Sequence, residues 1–394
     1  MSEWKETTLA DLCTDISYGY TESAKQEKVG PKFLRITDIA SGWLEWDKVP
    51  YCLINESDFE KYKLLPGDIV IARTGATTGA NYTIKESDPK DVVFASYLIR
   101  YKINPQIAYP YYIGQLLKSP NWSDYVDAIA GGSAQPGANA KQLGSFDIIL
   151  PPLPEQKAIA SILSSLDDKI DLLHRQNATL EKMGETLFRQ WFVEDAKEEW
   201  ESGRVGDLIR ILSGFAFKSS SFVESGKYRL ITIKGVQDGY LELTNSDRID
   251  ELPEQMPEFC KLQIGDILLS LTGNVGRCCL VDTTYLLLNQ RVAKLHPIKE
   301  RDKAFTYFLF RQPQIKQLLE EMAKGTAQAN LSPVETSNME LKIPDNNTLN
   351  EFSSLVTPWV EKLIFNKKSI QTLTQIRDFL LPKLMSGEVA VEMA

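Results

Sequence analysis

The sequence predicts an α+β chain built twice: two strand-rich parts, each followed by a long helix. The helices pair antiparallel as a coiled coil, and the whole closes as a pseudo-two-fold dumbbell. Three observations predict it. The 394 residues repeat themselves with an offset near 195. Each repeat opens with short alternating apolar runs broken by Gly, Pro, Asn and Asp. Each then closes in a stretch of about 40 residues with apolar side chains seven apart, the period of a coiled-coil seam.

Five segments carry the repeat in order. Trp4, Leu9, Asp11 and Leu12 answer Trp200, Val205, Asp207 and Leu208. LRITDIASGWLEW from Leu34 answers ITIKGVQDGYLEL from Ile231, with Gly42 on Gly239. LLPGDIVIARTGATTG from Leu64 answers LQIGDILLSLTGNVG from Leu262, which sets Gly67-Asp68 on Gly265-Asp266 and Thr74-Gly75 on Thr272-Gly273. Ala134-Gln135 and Asn139 answer Ala327-Gln328 and Asn330, and FDIILPPLPEQ from Phe146 answers MELKIPDNN from Met339, with Pro151 on Pro344. The order places a strand-rich part over 1–150, a helix over 151–196, a second strand-rich part over 197–343, a helix over 344–387 and a tail over 388–394.

FLRITDI, DIVIAR and YLIRYKI are the strands of the first part, and YRLITIK, DILLSL and RVAKLHP those of the second. The first long helix carries a seam of Ile159, Leu166, Leu173, Leu180 and Leu187, with Ile162 and Met183 between. The second carries Phe352, Trp359, Asn366, Leu373 and Leu380, with Leu355 and Ile376 between. At about 1.5 Å per residue each helix is a rod near 60 Å, longer than one small domain covers, so the stripes pair with each other. Lys169, Gln176, Gln190, Lys362, Asn366, Ser369 and Lys383 interrupt the stripes, either at their edge or as buried polar groups that fix register. Pro382 lacks an N–H, so a break or kink is expected near Leu381. The residues beyond it form a loose tail or return to the N-terminal part.

Composition narrows the function. With 43% hydrophobic and 25% charged residues the chain is soluble and globular. No run reaches the roughly 20 apolar residues of a membrane span, and the first residues lack a signal pattern, so a cytoplasmic location is expected. Five cysteines without C-x-x-C spacing give neither a disulfide framework nor a zinc cluster. Two histidines leave little for a metal site or a Ser-His-Asp site. There is no phosphate loop, no GxGxxG, no HExxH and no NPPY-like tetrapeptide. Asp167, Asp168 and Asp171 read as a solvated helix face, and Cys278-Cys279 as packing residues. The chain thus reads as a binding protein with no cofactor and no metal of its own. Its glycine loops, Thr74 to Gly79 and Thr272 to Gly276, lack the lysine and hydroxyl that hold a nucleotide. They read as turns needing positive φ, or as a close approach to DNA phosphate.

The lead-in PPLPEQ-x-x-I at Pro151 to Ile159 and the twice-used GDI-x-x-x-x-TG pattern resemble the DNA specificity subunit of type I restriction-modification enzymes. The resemblance runs from Trp4 to about Gly387. The second lead-in, KIPDNNTLNEF from Lys342, departs from it by lacking the Glu-Gln pair. The resemblance implies a subunit without enzymatic activity, whose two strand-rich parts are target recognition domains. Each reads one half of a split, asymmetric DNA sequence, and the paired helices fix the gap. It also implies a scaffold on which two adenine-N6 methyltransferase subunits dock and two ATP-driven endonuclease subunits join. S-adenosylmethionine, ATP and magnesium then belong to those partners.

Net charge is −9, and the strand-rich parts are not basic, with 15 Lys and Arg against 19 Asp and Glu over 1–150 and 18 against 18 over 200–343. DNA contact must come from local groups. Candidates in the first part are Tyr18, Tyr20, Lys25, Lys28, Lys32, Arg35, Arg73, Thr74, Gln135 and Asn139. Those in the second are Phe215, Phe217, Lys218, Lys227, Arg229, Lys234, Thr272, Asn274, Arg277, Arg291, Gln328 and Asn330. Cations would meet phosphate or guanine, and amides adenine edges, although the amides equally suit a turn cap. Arg73 and Arg291 stand out because a strand end holds them. Methyltransferases are expected on the outer helix faces, near Arg175, Lys182, Lys367 and Lys368. The rival readings are a free-standing enzyme, against which the missing motifs argue, and a coiled-coil adaptor with no DNA readout.

Overall fold

The computed structural model of the chain describes residues 4–40, 42–131, 137–324 and 330–391, so Gln135 and Gln328 lie outside the described residues. The chain divides into two compact units, Met1–Asp171 with Leu373–Ala394, and Leu172–Thr372. Among the described residues no helix is long and apolar enough to cross a membrane.

In the first unit a four-stranded antiparallel sheet runs in the order Cys13–Tyr18, Leu98–Ile103, Asp68–Ala72, Asn81–Thr83. DIVIA has no polar alternation, and all five of its residues are buried, as a strand covered on both faces requires. Lys32–Leu34 pairs in parallel with Val92–Phe94, and Lys5–Thr8 antiparallel with Asp147–Leu150. The second unit repeats this plan. Its sheet runs Ile209–Ser213, Val292–Pro297, Ile267–Ser270, Cys278–Leu280, with Tyr228–Ile231 parallel to Leu286–Leu288 and Glu201–Arg204 against Glu340–Ile343. It adds one short strand, Arg248–Ile249, beside Tyr228–Ile231.

Backbone geometry repeats as closely as topology. Gly42, Gly67, Gly75 and Gly79 have φ of +72°, +88°, +79° and +88°, and Gly239, Gly265, Gly273 and Gly276 have +86°, +89°, +74° and +81°. These are left-handed turns that side chains with a Cβ adopt at a cost, so the glycine pattern is the signature of one loop design used twice. The Gly-Asp pair closes its turn in the same way in both units. Gly67 N–H donates to Ile84 O and Gly265 N–H to Val281 O, while Asp68 accepts from Leu65 N–H at 2.9 Å and Asp266 from Gln263 N–H at 2.8 Å.

The long helices are Leu153–Arg189, followed by one wider π turn over Gln190–Glu194, and Asn346–Met385. Gln156 explains the PPLPEQ lead-in. Fully buried, it accepts from Tyr109 N–H and donates to Pro151 O, both at 2.7 Å, and so ties the helix start to its unit. The second lead-in places buried Leu349 there and caps the helix instead with Asp345, which accepts from Thr348 N–H and from the Trp200 indole.

Within the first unit Ile159, Ala160 and Leu163 share a core with Leu381, Leu384 and Met385. Within the second, Phe188 meets Phe352, and Asn177 meets Asn366. In each unit the two helix segments therefore run antiparallel. The inner face is centred differently from the heptad of leucines. Leu163, Asp167, Ile170, Asn177, Gly184 and Phe188 are buried, whereas Leu166, Leu180 and Leu187 are half-buried beside them. Ile159 and Leu173 are buried as well. On the second helix Phe352 and Asn366 are buried, and Trp359, Leu373 and Leu380 half-buried. Ile162, Met183, Leu355 and Ile376 face solvent. The difference has a simple cause, since part of the buried face is small or polar, Asp167, Asn177 and Gly184, which an apolar search skips. Gly184 lies where a Cβ would sit 2.1 Å from the Phe308 ring. Asn366 donates to Asn177 Oδ1 at 2.9 Å, so one interrupting amide is interior, while Lys169, Gln176, Gln190 and Lys362 are exposed.

Two expectations are corrected. The second helix does not break at Leu381 but continues through Pro382 to Met385, as it does through Pro358. Both prolines are exposed, and burial of Leu381, Leu384 and Met385 in the first unit holds the last turn. Beyond it Gly387 turns at φ +73° against the Trp4 indole and Val391 joins the core edge, so this segment returns to the N-terminal part. Asp167 is not on a solvated face. It is buried and accepts from Gln115 at 2.7 Å, Lys118 at 2.8 Å and Arg377 at 3.0 Å, while Lys85 pairs with Asp168 and Asp171.

Candidate nucleic-acid interface

In the first unit the ends of three neighbouring strands bring Tyr18, Arg73 and Tyr97 together. Arg73 follows the strand Asp68–Ala72, and its backbone is fixed on both sides, its N–H donating to Tyr97 O and its carbonyl accepting from Ala138 N–H. Its Nε donates to Ser96 O at 3.0 Å, and its guanidinium lies 5.2 Å from the Tyr18 ring centroid and 6.0 Å from that of Tyr97. Tyr18 is itself held, because its hydroxyl accepts from Ala140 N–H at 3.1 Å. Both rings remain open, Tyr18 44% and Tyr97 55% exposed. Thr74 bridges to Gly137. Tyr97 was not among the sequence candidates, since in FASYLIR it reads as an ordinary strand residue.

The other candidates of the first unit divide. Lys25 and Lys28 are exposed. Lys32 is used internally: its ammonium donates to Trp46 O at 2.7 Å and Val49 O at 2.9 Å over the Tyr51 ring. Arg35 pairs with Asp38 at 2.8 Å. Tyr20 packs on Tyr62 at 5.2 Å. Asn139 caps the helix Ala140–Gly144 by accepting from Gln142 N–H, which is the turn-cap alternative.

The second unit has a different set at the same places. Leu271 N–H donates to Arg291 O and Leu271 O accepts from Leu331 N–H, so Leu271 stands where Arg73 does and Arg291 where Tyr97 does. Tyr18 pairs across its strand with Ile99, as Ser213 does with Ala293. Leu271 is buried and Arg291 exposed. Thr272 donates to Asn330 Oδ1 at 2.7 Å and also bridges to it, so Asn330 corresponds to Gly137. The partner of Asn139 in the repeat is therefore Ser332, which caps Pro333–Ser337. Phe215 corresponds to Tyr20 and packs on Phe217 at 5.1 Å. Asn274, with its amide oxygen turned to Arg277, accepts from both terminal nitrogens at 3.2 and 3.0 Å, and Arg277 also donates to Gln237. Lys218, Lys227 and Lys234 are exposed, with Lys227 over the rings of Tyr228 and Tyr285. Arg229 lies opposite Arg248 across two strands, and burial together with that second cation lowers its affinity for the proton.

The buried thiols support packing over chemistry. Burial pushes Cys279 up to about 12 and Cys278 well above the ordinary thiol value. Among the described residues no group of three His, Cys, Asp or Glu side chains is placed to hold a metal ion.

The model of the type I restriction modification DNA specificity domain matches residues 1–182 and again 197–375. Among curated proteins, the specificity subunit of the type I restriction enzyme MjaIX of Methanocaldococcus jannaschii is 31% identical over 83% of this chain and 76% of its own length. The HindI specificity subunit of Haemophilus influenzae is 23% identical over 99% of this chain and the whole of its own. A crystal structure of the S subunit of a type I restriction-modification system from M. genitalium shares the fold, with a TM-score of 0.60 at 16% identity over 97% of this chain and 96% of that one. Two tandem matches fall on the two copies of one backbone design, and the chain belongs to the type I restriction modification DNA specificity family.

Proposed function

We propose that the chain is the non-catalytic specificity and scaffold subunit of a type I restriction-modification complex. Each strand-rich part reads one half of a bipartite, asymmetric duplex target, and the long helices set the gap between the halves. The observation that carries this reading is one loop frame used twice with different residues at its strand ends, Tyr18, Arg73 and Tyr97 against Ser213, Leu271 and Arg291. Shared frames imply related readers, and unlike strand ends imply unlike half-sites.

Two adenine-N6 methyltransferase subunits dock on the outer helix faces, and two ATP-driven endonuclease subunits join for restriction. Support for docking is the second apolar row on each helix: Ile162, Leu172 and Met183 on the first, and Leu355, Phe365, Ile376 and Phe379 on the second, all exposed. Intervals of ten and eleven residues, about three helical turns, keep these side chains on one side of their helix, where a partner can reach them. Arg175, Lys182 and Lys368 flank them in solvent, whereas Lys367 is engaged by Gly239 O. Selection from a randomised duplex library by the full chain with its cognate methyltransferase tests the reading. A split motif is expected. Binding without sequence preference would instead favour the coiled-coil adaptor.

A further inference from the structure

We infer that Arg73, held by Tyr18 and Tyr97, reads a guanine in the half-site of the first unit. This inference rests on the function proposed above. A guanine presents O6 and N7 as two acceptors in the major groove, and the guanidinium fork matches them only when its plane is fixed. Three contacts fix it: the Nε bond to Ser96 O at 3.0 Å and the two tyrosine rings at 5.2 and 6.0 Å. Because Nε is used by the protein, the two terminal nitrogens remain for an end-on pair of hydrogen bonds, and among the described residues neither has a protein partner. No carboxylate pairs with this arginine among the described residues, in contrast to Arg35 on Asp38 and Arg100 on Asp15. The backbone on either side is locked into the sheet, so the side chain starts from a rigid strand end.

The second unit supplies the control. Its corresponding position is Leu271, buried in an intact sheet, so the frame accepts leucine there. Arg73→Leu is therefore expected to fold. Its effect is read by the same library selection, with the full chain and its cognate methyltransferase.

The expected result is loss of discrimination at one guanine of one half-site by roughly tenfold to a hundredfold, with the other half unchanged. The retained half reports that the variant is folded and assembled. An unchanged motif overturns the proposal. So does a uniform loss of affinity with a shallower salt dependence, which marks a phosphate contact. If the unchanged chain selects no motif at all, the specificity reading fails first and this proposal with it.

Discussion

The two units hold their segments of the long helices with a cation at the same place but opposite arrangements of charge. In the first, Lys118 at the end of a helix reaches Asp167, and Arg377 and Gln115 complete a shell around that buried carboxylate. In the second, Arg311 stands at the corresponding place, each cation lying two residues before a proline that opens the next helix. Here the cation is the hub, 2.9 Å from Glu185, 3.5 Å from Glu181 and 3.8 Å from Asp238. Asp167 lies on the helix that follows its strand-rich part, Glu181 and Glu185 on the helix that precedes theirs. What the fold keeps is the cation at the domain edge and the need to compensate it, and either helix can supply the carboxylate.

The largest expected effect removes one hub. Asp167→Ala leaves Gln115 and the half-exposed Lys118 without their acceptor and Arg377 with Asp378 alone, which should destabilise the first unit by about 3 kcal/mol and leave the second intact, as hydrogen exchange would show. Acid acts on carboxyls of the two hubs with opposite sign. Burial disfavours the Asp167 anion, but Lys118, Gln115 and Arg377 outweigh it and hold the carboxyl down to about 2. A carboxyl depressed in the folded state stabilises above its unfolded value and loses that contribution as pH falls from about 4 to 2, here about 2 kcal/mol. Burial instead raises Glu185, against the pull of Arg311 and with help from Glu181. Its protonation occurs first in the folded state, so mild acidification favours the second unit through this group.

The shared frame predicts equal damage. A Cβ on Gly19 would lie 2.3 Å from Ala95 O, and one on Gly214 2.3 Å from Asn289 O. Gly19→Ala and Gly214→Ala should each cost about 3 kcal/mol in their own unit, measured by denaturant unfolding of the two variants. Unequal losses would show that the repeat is looser than its backbone suggests.

The buried amides of the helix pair come next. Asn366→Leu leaves Asn177 without its partner and should cost about 2 kcal/mol, whereas Asn366→Leu combined with Asn177→Leu should recover that loss while loosening register. Disulfide trapping between cysteines placed along the two helices would detect the added registers. The smallest effects are the caps: Asn139→Ala and Ser332→Ala should each cost about 1 kcal/mol, seen as a shift in thermal midpoint.

How far the sequence reveals these features depends on what each residue must do alone. The duplication is legible because Gly67-Asp68 and Gly265-Asp266 form a turn whose φ only glycine adopts freely and whose closing bond needs that carboxylate. The buried face of the first long helix is not, since Gly184, Asn177 and Asp167 are buried for reasons of space and pairing that involve Phe308, Asn366 and Gln115, all over 50 positions away. Lys32 and Arg35 look like free cations in sequence, yet Trp46 and Val49 carbonyls and Asp38 engage them. The match of Asn139 to Ser332 is hidden by identity, because different side chains perform one capping role. Tyr97 is hidden because only the sheet places it beside Arg73.

The most direct measurement is to co-express the chain with its cognate methyltransferase and map N6-methyladenine across host DNA by single-molecule sequencing. Two related but unlike readers predict a split, non-palindromic motif with one modified adenine in each half. A palindromic or contiguous motif, or a stable complex that leaves no motif, would contradict the claim that the two units read different halves of one target.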